Sequence, residues 1–245
     1  MLTVTDSFKD GSFSGSDITY GNGDGEAFVT PLLFTADLGN TKTASSQVVG
    51  AGIDYAYSFS GGGTAPVKLQ YTFTSTRKVT DPFPNVTGLR FMLDVIAAGT
   101  STSFPPTDKA SQSWPAAIAG DPDKRQIQDL NAGALNTLLV SNNGVTDNAI
   151  TPNCVAAGCT TDFGLEWDRA TLAPGQTWTI NLSLVDNPAL VIGGRYLRAD
   201  SVDVPGNTLF VGNPKVVPEP HRYAMLLAGI AMLAVVGHKR LRRLG

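Results

Sequence analysis

Both histidines of this chain, His221 and His238, lie among its last 25 residues. A Ser-His-Asp or Cys-His nucleophile is therefore out of reach of everything before them, and so is a His-ligated metal. No G-x-S-x-G, no G-x-x-x-x-G-K-[ST] and no strand-anchored dinucleotide fingerprint occurs. Paired carboxylates are the acid–base chemistry still open, because glycoside hydrolysis needs only a proton donor and a base or nucleophile flanking one bond. Asp94, Glu166, Asp168 and Asp186 sit on or beside expected strands and are the candidates. The plainer reading puts these four at solvent-facing positions of half-buried strands. It is the one adopted, so no catalytic residue is expected.

Metal and ligand chemistry have equally few candidates. Asn22-Gly23-Asp24-Gly25-Glu26 and Asp121-Pro122-Asp123 space oxygen ligands two apart on loops, a pattern Ca²⁺ tolerates, but neither has the twelve-residue EF-hand order. Acidic glycine-rich turns without metal are commoner, so the expectation is no metal and no cofactor, with Ca²⁺ as the minor alternative. Trp114, Trp167 and Trp178 are flat enough to stack on sugar rings. Trp167 and Trp178 alternate with polar residues on expected strands and read as core. Trp114, in Ser113-Trp114-Pro115, is the one candidate ligand contact, against the plainer reading of a ring packed under its loop. Cys154 and Cys159 flank Val-Ala-Ala-Gly; two cysteines without histidine cannot complete a tetrahedral zinc site, and a local disulfide is expected.

The elements that must position these residues read as strands. Ile53, Tyr55, Tyr57 and Phe59 alternate with small or polar residues; so do Val67, Leu69, Tyr71 and Phe73, then Leu89, Phe91, Leu93 and Val95, then Trp178, Ile180, Leu182 and Leu184. Each run buries one face, as an antiparallel two-sheet sandwich of jelly-roll or Ig-like kind requires. Gly61-Gly62-Gly63, Asp81-Pro82, Asn143-Gly144, Pro174-Gly175 and Pro205-Gly206-Asn207 separate them as turns. Residues 126–140 place Ile127, Leu130, Ala134, Leu135, Leu138 and Leu139 near a 3.6 period, and one or two helical turns are expected there. Residues 11–26, rich in Gly, Ser, Asp and Asn, read as a loop or weak edge. Residues 1–217 carry 13 Lys/Arg against 20 Asp/Glu, a balance of −7, while residues 222–245 carry five cations and no acid. An acidic body without a basic patch is a poor partner for nucleic acid, and none is expected.

The C-terminus is the most specific feature. Val217-Pro218-Glu219-Pro220 precedes Arg222, an apolar run over residues 223–237, and the basic end His238-Lys239-Arg240-Leu241-Arg242-Arg243. As a helix the run rises about 22 Å against a hydrocarbon core of about 30 Å, short for a span unless flanking Lys/Arg snorkel to the interfaces. Four cations after the run against one before it place the C-terminus on the cytoplasmic side and residues 1–217 on the other. These residues resemble the PEP-CTERM sorting domain of exported Gram-negative bacterial proteins. The resemblance implies an inner-membrane intermediate, processing by an exosortase at or near Pro218-Glu219-Pro220, and release or attachment at the cell surface, often beside exopolysaccharide. Proteins of this class begin with a secretory signal; Met1-Leu2-Thr3-Val4-Thr5-Asp6 has neither a charged nor an apolar segment, so a mis-assigned or truncated start is expected.

A second resemblance covers the body. Tyr71-Thr72-Phe73-Thr74-Ser75-Thr76 with Leu89-Arg90-Phe91, and Phe163-Gly164-Leu165-Glu166-Trp167 with Leu172-Ala173-Pro174-Gly175-Gln176-Thr177-Trp178, are similar to strand pairs of surface β-sandwiches found upstream of such tails. The expectation is thus an all-β sandwich over residues 1–213 and a sorting tail over 214–245, with the motif at 217–220, one transmembrane helix at 223–237 and the basic end at 238–243. The function expected is that of an exported, non-enzymatic surface or matrix protein. Two alternatives stand beside it: a carbohydrate-binding module that retains exopolysaccharide, and a His-free carboxylate-pair glycan hydrolase.

Overall fold

The computed structural model describes residues 2–6, 16–20, 25–34, 52–99, 108–133, 135, 144–202 and 206–216. These fold into two sheets. The larger has seven strands in the order β1 (Thr3–Asp6), β2 (Ser16–Tyr20), β3 (Gly25–Phe34), β6 (Val86–Gly99), β10 (Thr161–Leu172), β8 (Lys124–Asp129), β9 (Ala149–Ile150). The smaller has six, in the order β4 (Ile53–Gly62), β5 (Ala65–Ser75), β11 (Thr177–Val185), β13 (Thr208–Val216), β12 (Val191–Ser201), β7 (Asp108–Ser113). β8 and β9 pair in parallel, while the β3–β6, β6–β10, β10–β8, β4–β5 and β5–β11 pairings are antiparallel. The body belongs to the compact unit Met1–Lys215; of the second unit, Val216–Gly245, only Val216 is among the described residues.

The alternating runs form the sandwich interior. Val67, Leu69, Tyr71 and Phe73 of β5 join Leu89, Phe91, Leu93 and Val95 of β6, Phe163, Leu165 and Trp167 of β10, and Trp178, Ile180, Leu182 and Leu184 of β11 in one buried cluster. Aromatic rings bridge the two sheets: Phe91 lies 4.9 Å from Tyr71, 5.2 Å from Phe73 and 5.7 Å from Trp167, centroid to centroid. Such tilted pairs add about 0.5–1.5 kcal/mol each beyond the area they bury. Along β4 the alternation persists but fades outward: Ile53 is buried, Tyr55 and Tyr57 are half-buried, and Phe59 is exposed. The Pro174-Gly175 turn is as its chemistry requires, with Gly175 at φ +70° and Gln176 N–H donating to the Ala173 carbonyl at 2.9 Å.

Three expectations are corrected. First, the described residues form the two sheets and include no transmembrane helix. No helix among the described residues is long and apolar enough to cross a membrane. The α-helix α1 (Pro152–Ala156) has five residues and rises about 7.5 Å, far below the ~30 Å of a bilayer core. Residues 217–245, which carry that expectation, lie outside the described residues. Second, the helix expected over 126–140 begins instead as strand β8, followed by a 3₁₀ turn at Leu130–Ala132 capped by the Asp129 side chain. Pairing with β10 along Lys124–Asp129 and burial of Ile127 in the core outweigh the local helical period. Within it Leu135 is helical, and residues 134 and 136–140 lie outside the described residues. Third, the central stretch of β6, Phe91 to Val95, and the first seven residues of β10 are buried on both faces and not on one.

Candidate functional site

That doubly buried stretch gathers most of the carboxylates. Side chains alternate across a strand, so Asp162, Gly164, Glu166 and Asp168 of β10 all point away from the sandwich interior. The register sets Gly164 between Asp94 of β6 and Gln126 of β8, Glu166 between Met92 and Lys124, and Asp162 between Ile96 and Gln128. Asp168 lies opposite Arg90. Gly164 is the low point of this face. A Cβ there would meet Leu135 Cδ1 at 3.0 Å and Val145 Cγ2 at 3.1 Å, so the missing side chain lets two apolar residues settle on the sheet. Val145 joins Leu32, Phe34 and Met92 in a second, smaller apolar cluster.

Polar side chains of the sheet bind the covering backbone. Asp162 Oδ2 accepts from Leu135 N–H at 2.7 Å, Glu166 Oε2 from Val145 N–H at 2.7 Å, and Gln126 Oε1 from Thr146 N–H at 2.8 Å. Gln128 donates to the Gly133 carbonyl and accepts from Gln126 Nε2. These side chains replace the backbone partners that a non-strand segment would otherwise leave buried and unpaired.

Two electrostatic neighbourhoods share this face. At one, the Glu166 carboxylate is wholly buried with Lys124 Nζ at 2.6 Å and Arg90 Nε at 3.1 Å. Asp168, 41% exposed, completes the group at 3.4 Å from Arg90 Nε and 3.3 Å from Lys124 Nζ. Burial by itself lowers the Lys124 pKa, but hydrogen bonding to Glu166 and the charges of Glu166 and Asp168 outweigh it and leave the ammonium above its ordinary value. At the other, Asp94 and Asp162 lie on neighbouring strands and are both 0% exposed. Burial pushes the Asp162 carboxyl up, against the opposing pull of the neighbouring Asp94 and of the Leu135 N–H.

Asp94 and Glu166 are therefore not at the solvent-facing positions expected for them. They are covered because residues distant in sequence lie on that face. Asp168 shares the face and is exposed, whereas Asp186 follows β11 in the other sheet and is half-buried. A hydrolytic pair must border an open cleft. Here the Glu166 oxygens are held by Lys124, Arg90 and Val145, and the arrangement serves as a clamp for the cover. Asp162, Gln126, Gln128, Arg90 and Lys124 were not singled out from sequence. Their signal was present in the i, i+2 spacing Asp162, Gly164, Glu166, Asp168, interleaved with Phe163, Leu165 and Trp167.

The other candidates are dispersed. Trp114 follows β7, is half-buried against the core, and has the Arg125 guanidinium over its ring at 5.0 Å. One ring face is thus occupied by the protein itself. Asp121 lies 3.0 Å from Arg195 Nε and accepts from Ile118 N–H, and Asp123 accepts from Asp168 N–H at 2.7 Å. Both carboxylates fix their own loop. No group of three or more His, Cys, Asp or Glu among the described residues is placed to hold a metal. Asn22, Gly23, Asp24 and the Glu26 side chain lie outside the described residues. Cys154 and Cys159 form the expected disulfide, both buried, and Cys159 exchanges backbone hydrogen bonds with Asp108 at the start of β7. Val217, Pro218, Glu219, Pro220, Arg222, Lys239, Arg240, Arg242 and Arg243 lie outside the described residues. No family model, no curated protein and no solved structure matches this chain.

Proposed function

We propose that this chain is an exported, non-enzymatic component of the cell surface or extracellular matrix, sorted by an exosortase acting at Pro218-Glu219-Pro220. The observation that carries the reading is the order of parts at the C-terminus: Val217-Pro218-Glu219-Pro220, then an apolar run, then a cluster of Lys and Arg. The Cys154–Cys159 bond supports it, because disulfides form and persist in oxidising compartments. In this reading the protein passes through the inner membrane, and cleavage near the motif separates the β-sandwich from the apolar and basic residues that follow. Extracellular polysaccharide is the proposed surrounding of the mature protein.

The C-terminal mass of the mature protein recovered from its native host decides the matter. A chain that ends near residues 218–220 is expected. A chain still ending at Gly245 overturns the reading.

A further inference from the structure

We propose that Val79 and Phe83, on the loop between β5 and β6, are a lipid contact of the β-sandwich, inserting their side chains into the surface of a bilayer. This deepens the reading of the chain as one that passes through a membrane, and rests on it for the presence of that membrane.

Residues 76–85 lead from β5 to β6. Among the described residues they hold the two most exposed large apolar side chains, Val79 at 81% and Phe83 at 80%. The loop that displays them is fastened along its length. At its base Ser75 N–H donates to the Gln176 carbonyl at 3.0 Å and Thr76 N–H to the Gly52 carbonyl at 2.9 Å. Lys78 N–H donates to Asp81 Oδ2 at 2.8 Å and Asp81 N–H to the Lys78 carbonyl at 3.0 Å, closing a turn that carries Val79 and Thr80. Arg77 Nη1 donates to the Phe83 and Asn85 carbonyls at 3.0 and 2.7 Å. The Arg77 stem lies against Gly52, where a Cβ would meet its Cγ at 2.7 Å. Pro82 and Pro84 restrict the backbone on either side of Phe83. Val79 and Phe83 are thus held in water, where apolar surface contributes nothing to folding. A tip already ordered loses little conformational entropy when it binds.

Shape selects the occupant. Thr76, Lys78, Thr80 and Asn85, also exposed on this loop, are polar. Two isolated apolar side chains on a loop cannot supply the about 800 Å² per partner of a standard protein interface. A bilayer surface demands neither that area nor a matching shape. Lys78, beside Val79, can keep its ammonium among the headgroups while its stem lies along the apolar layer.

The end of the body agrees with this placement. β13 runs antiparallel to β11 and so heads toward the end of the smaller sheet where β11 begins. Gln176, just before β11, is the residue that pairs with the base of the loop. Beyond β13 the chain carries the apolar residues 223–237 and then Lys239, Arg240, Arg242 and Arg243. Stable attachment to a bilayer takes two signals, and a single one binds weakly and reversibly. The uncleaved chain has both, the apolar C-terminal stretch and the loop. Cleavage leaves the loop alone, a contact loose enough for the body to depart.

The test uses the full-length chain with Phe83→Trp, and with Thr179→Trp on the exposed outer side of β11 as reference. Each is mixed with phosphatidylcholine vesicles with and without brominated acyl chains, and the wild-type tryptophan signal is subtracted. Zwitterionic lipid keeps the C-terminal cations from dominating the binding. Phe83→Trp emission should shift to the blue and be quenched by the brominated lipid, while Thr179→Trp should show neither. Replacing both residues, Val79→Ser with Phe83→Ser, should lower vesicle partition about tenfold. The urea midpoint of that variant should not change, since both side chains stand in water in the fold. A vesicle-bound chain with unquenched Phe83→Trp, or equal partition of the double variant, overturns the proposal. A full-length chain that stays off the vesicles overturns it too, while the C-terminal mass of the host protein still decides the sorting reading. Self-association in vesicle-free buffer that Phe83→Ser abolishes would make the loop a contact between copies and overturn the lipid assignment.

Discussion

At the scale of single residues, Glu166 holds the cover to the sheet through three partners at once. Glu166→Ala leaves Lys124 and Arg90 with only the exposed Asp168 and leaves Val145 N–H without its acceptor. Removing one partner of a fully buried ion pair costs about 3–5 kcal/mol. Because Lys124 and Arg90 are each about a third exposed, water relieves part of this, and a loss of roughly 2–3 kcal/mol in urea unfolding is expected. Gly164 tests the same face sterically. Gly164→Ala presses a methyl against Leu135 and Val145, and overpacking of this kind costs about 1–3 kcal/mol, read as a lower urea midpoint with unchanged slope. Sequence drew attention to Glu166 as one of four carboxylates, but on the wrong surface. What identifies its role is the Val145 amide, which is 21 residues away and joined to it only by folding.

At the scale of elements, the inward strand faces were legible and the outward ones were not. Period-2 apolar runs in β5, β6 and β11 identify their buried sides directly, since one face of each must leave water. Arg90, Met92 and Asp94 on the second face of β6 give a mixed pattern that reads as solvent-facing, and Met92 is buried because Leu32 and Phe34 of β3 and the distant Val145 pack with it. β8 failed for a different reason. Its apolar spacing fits a helix locally, and only the free edge of β10 recruits it as a strand. The disulfide belongs to this scale too, because it closes a short loop beside β7. Reduction should lower stability by roughly 2 kcal/mol by loop entropy, visible as a drop in Tm under dithiothreitol. An unchanged Tm with both thiols titratable would show that the neighbouring Cys159–Asp108 backbone pairing suffices without it.

At the scale of the whole molecule, this body is a two-sheet sandwich with one apolar interior and a second, polar-pinned layer outside the larger sheet. The sequence by itself determined the all-β class, the inward faces of the principal strands, the Pro174-Gly175 turn and the Cys154–Cys159 pair, because each depends on local periodicity, local turn chemistry or a short loop. It also excluded histidine chemistry from the body by simple absence. Only the tertiary structure decided that Asp94, Asp162 and Glu166 are buried, that Lys124 and Arg90 converge on one carboxylate, and that Arg125 covers Trp114. Burial and ion pairing of an outward side chain depend on which distant segment comes to lie over it, and no local pattern encodes that.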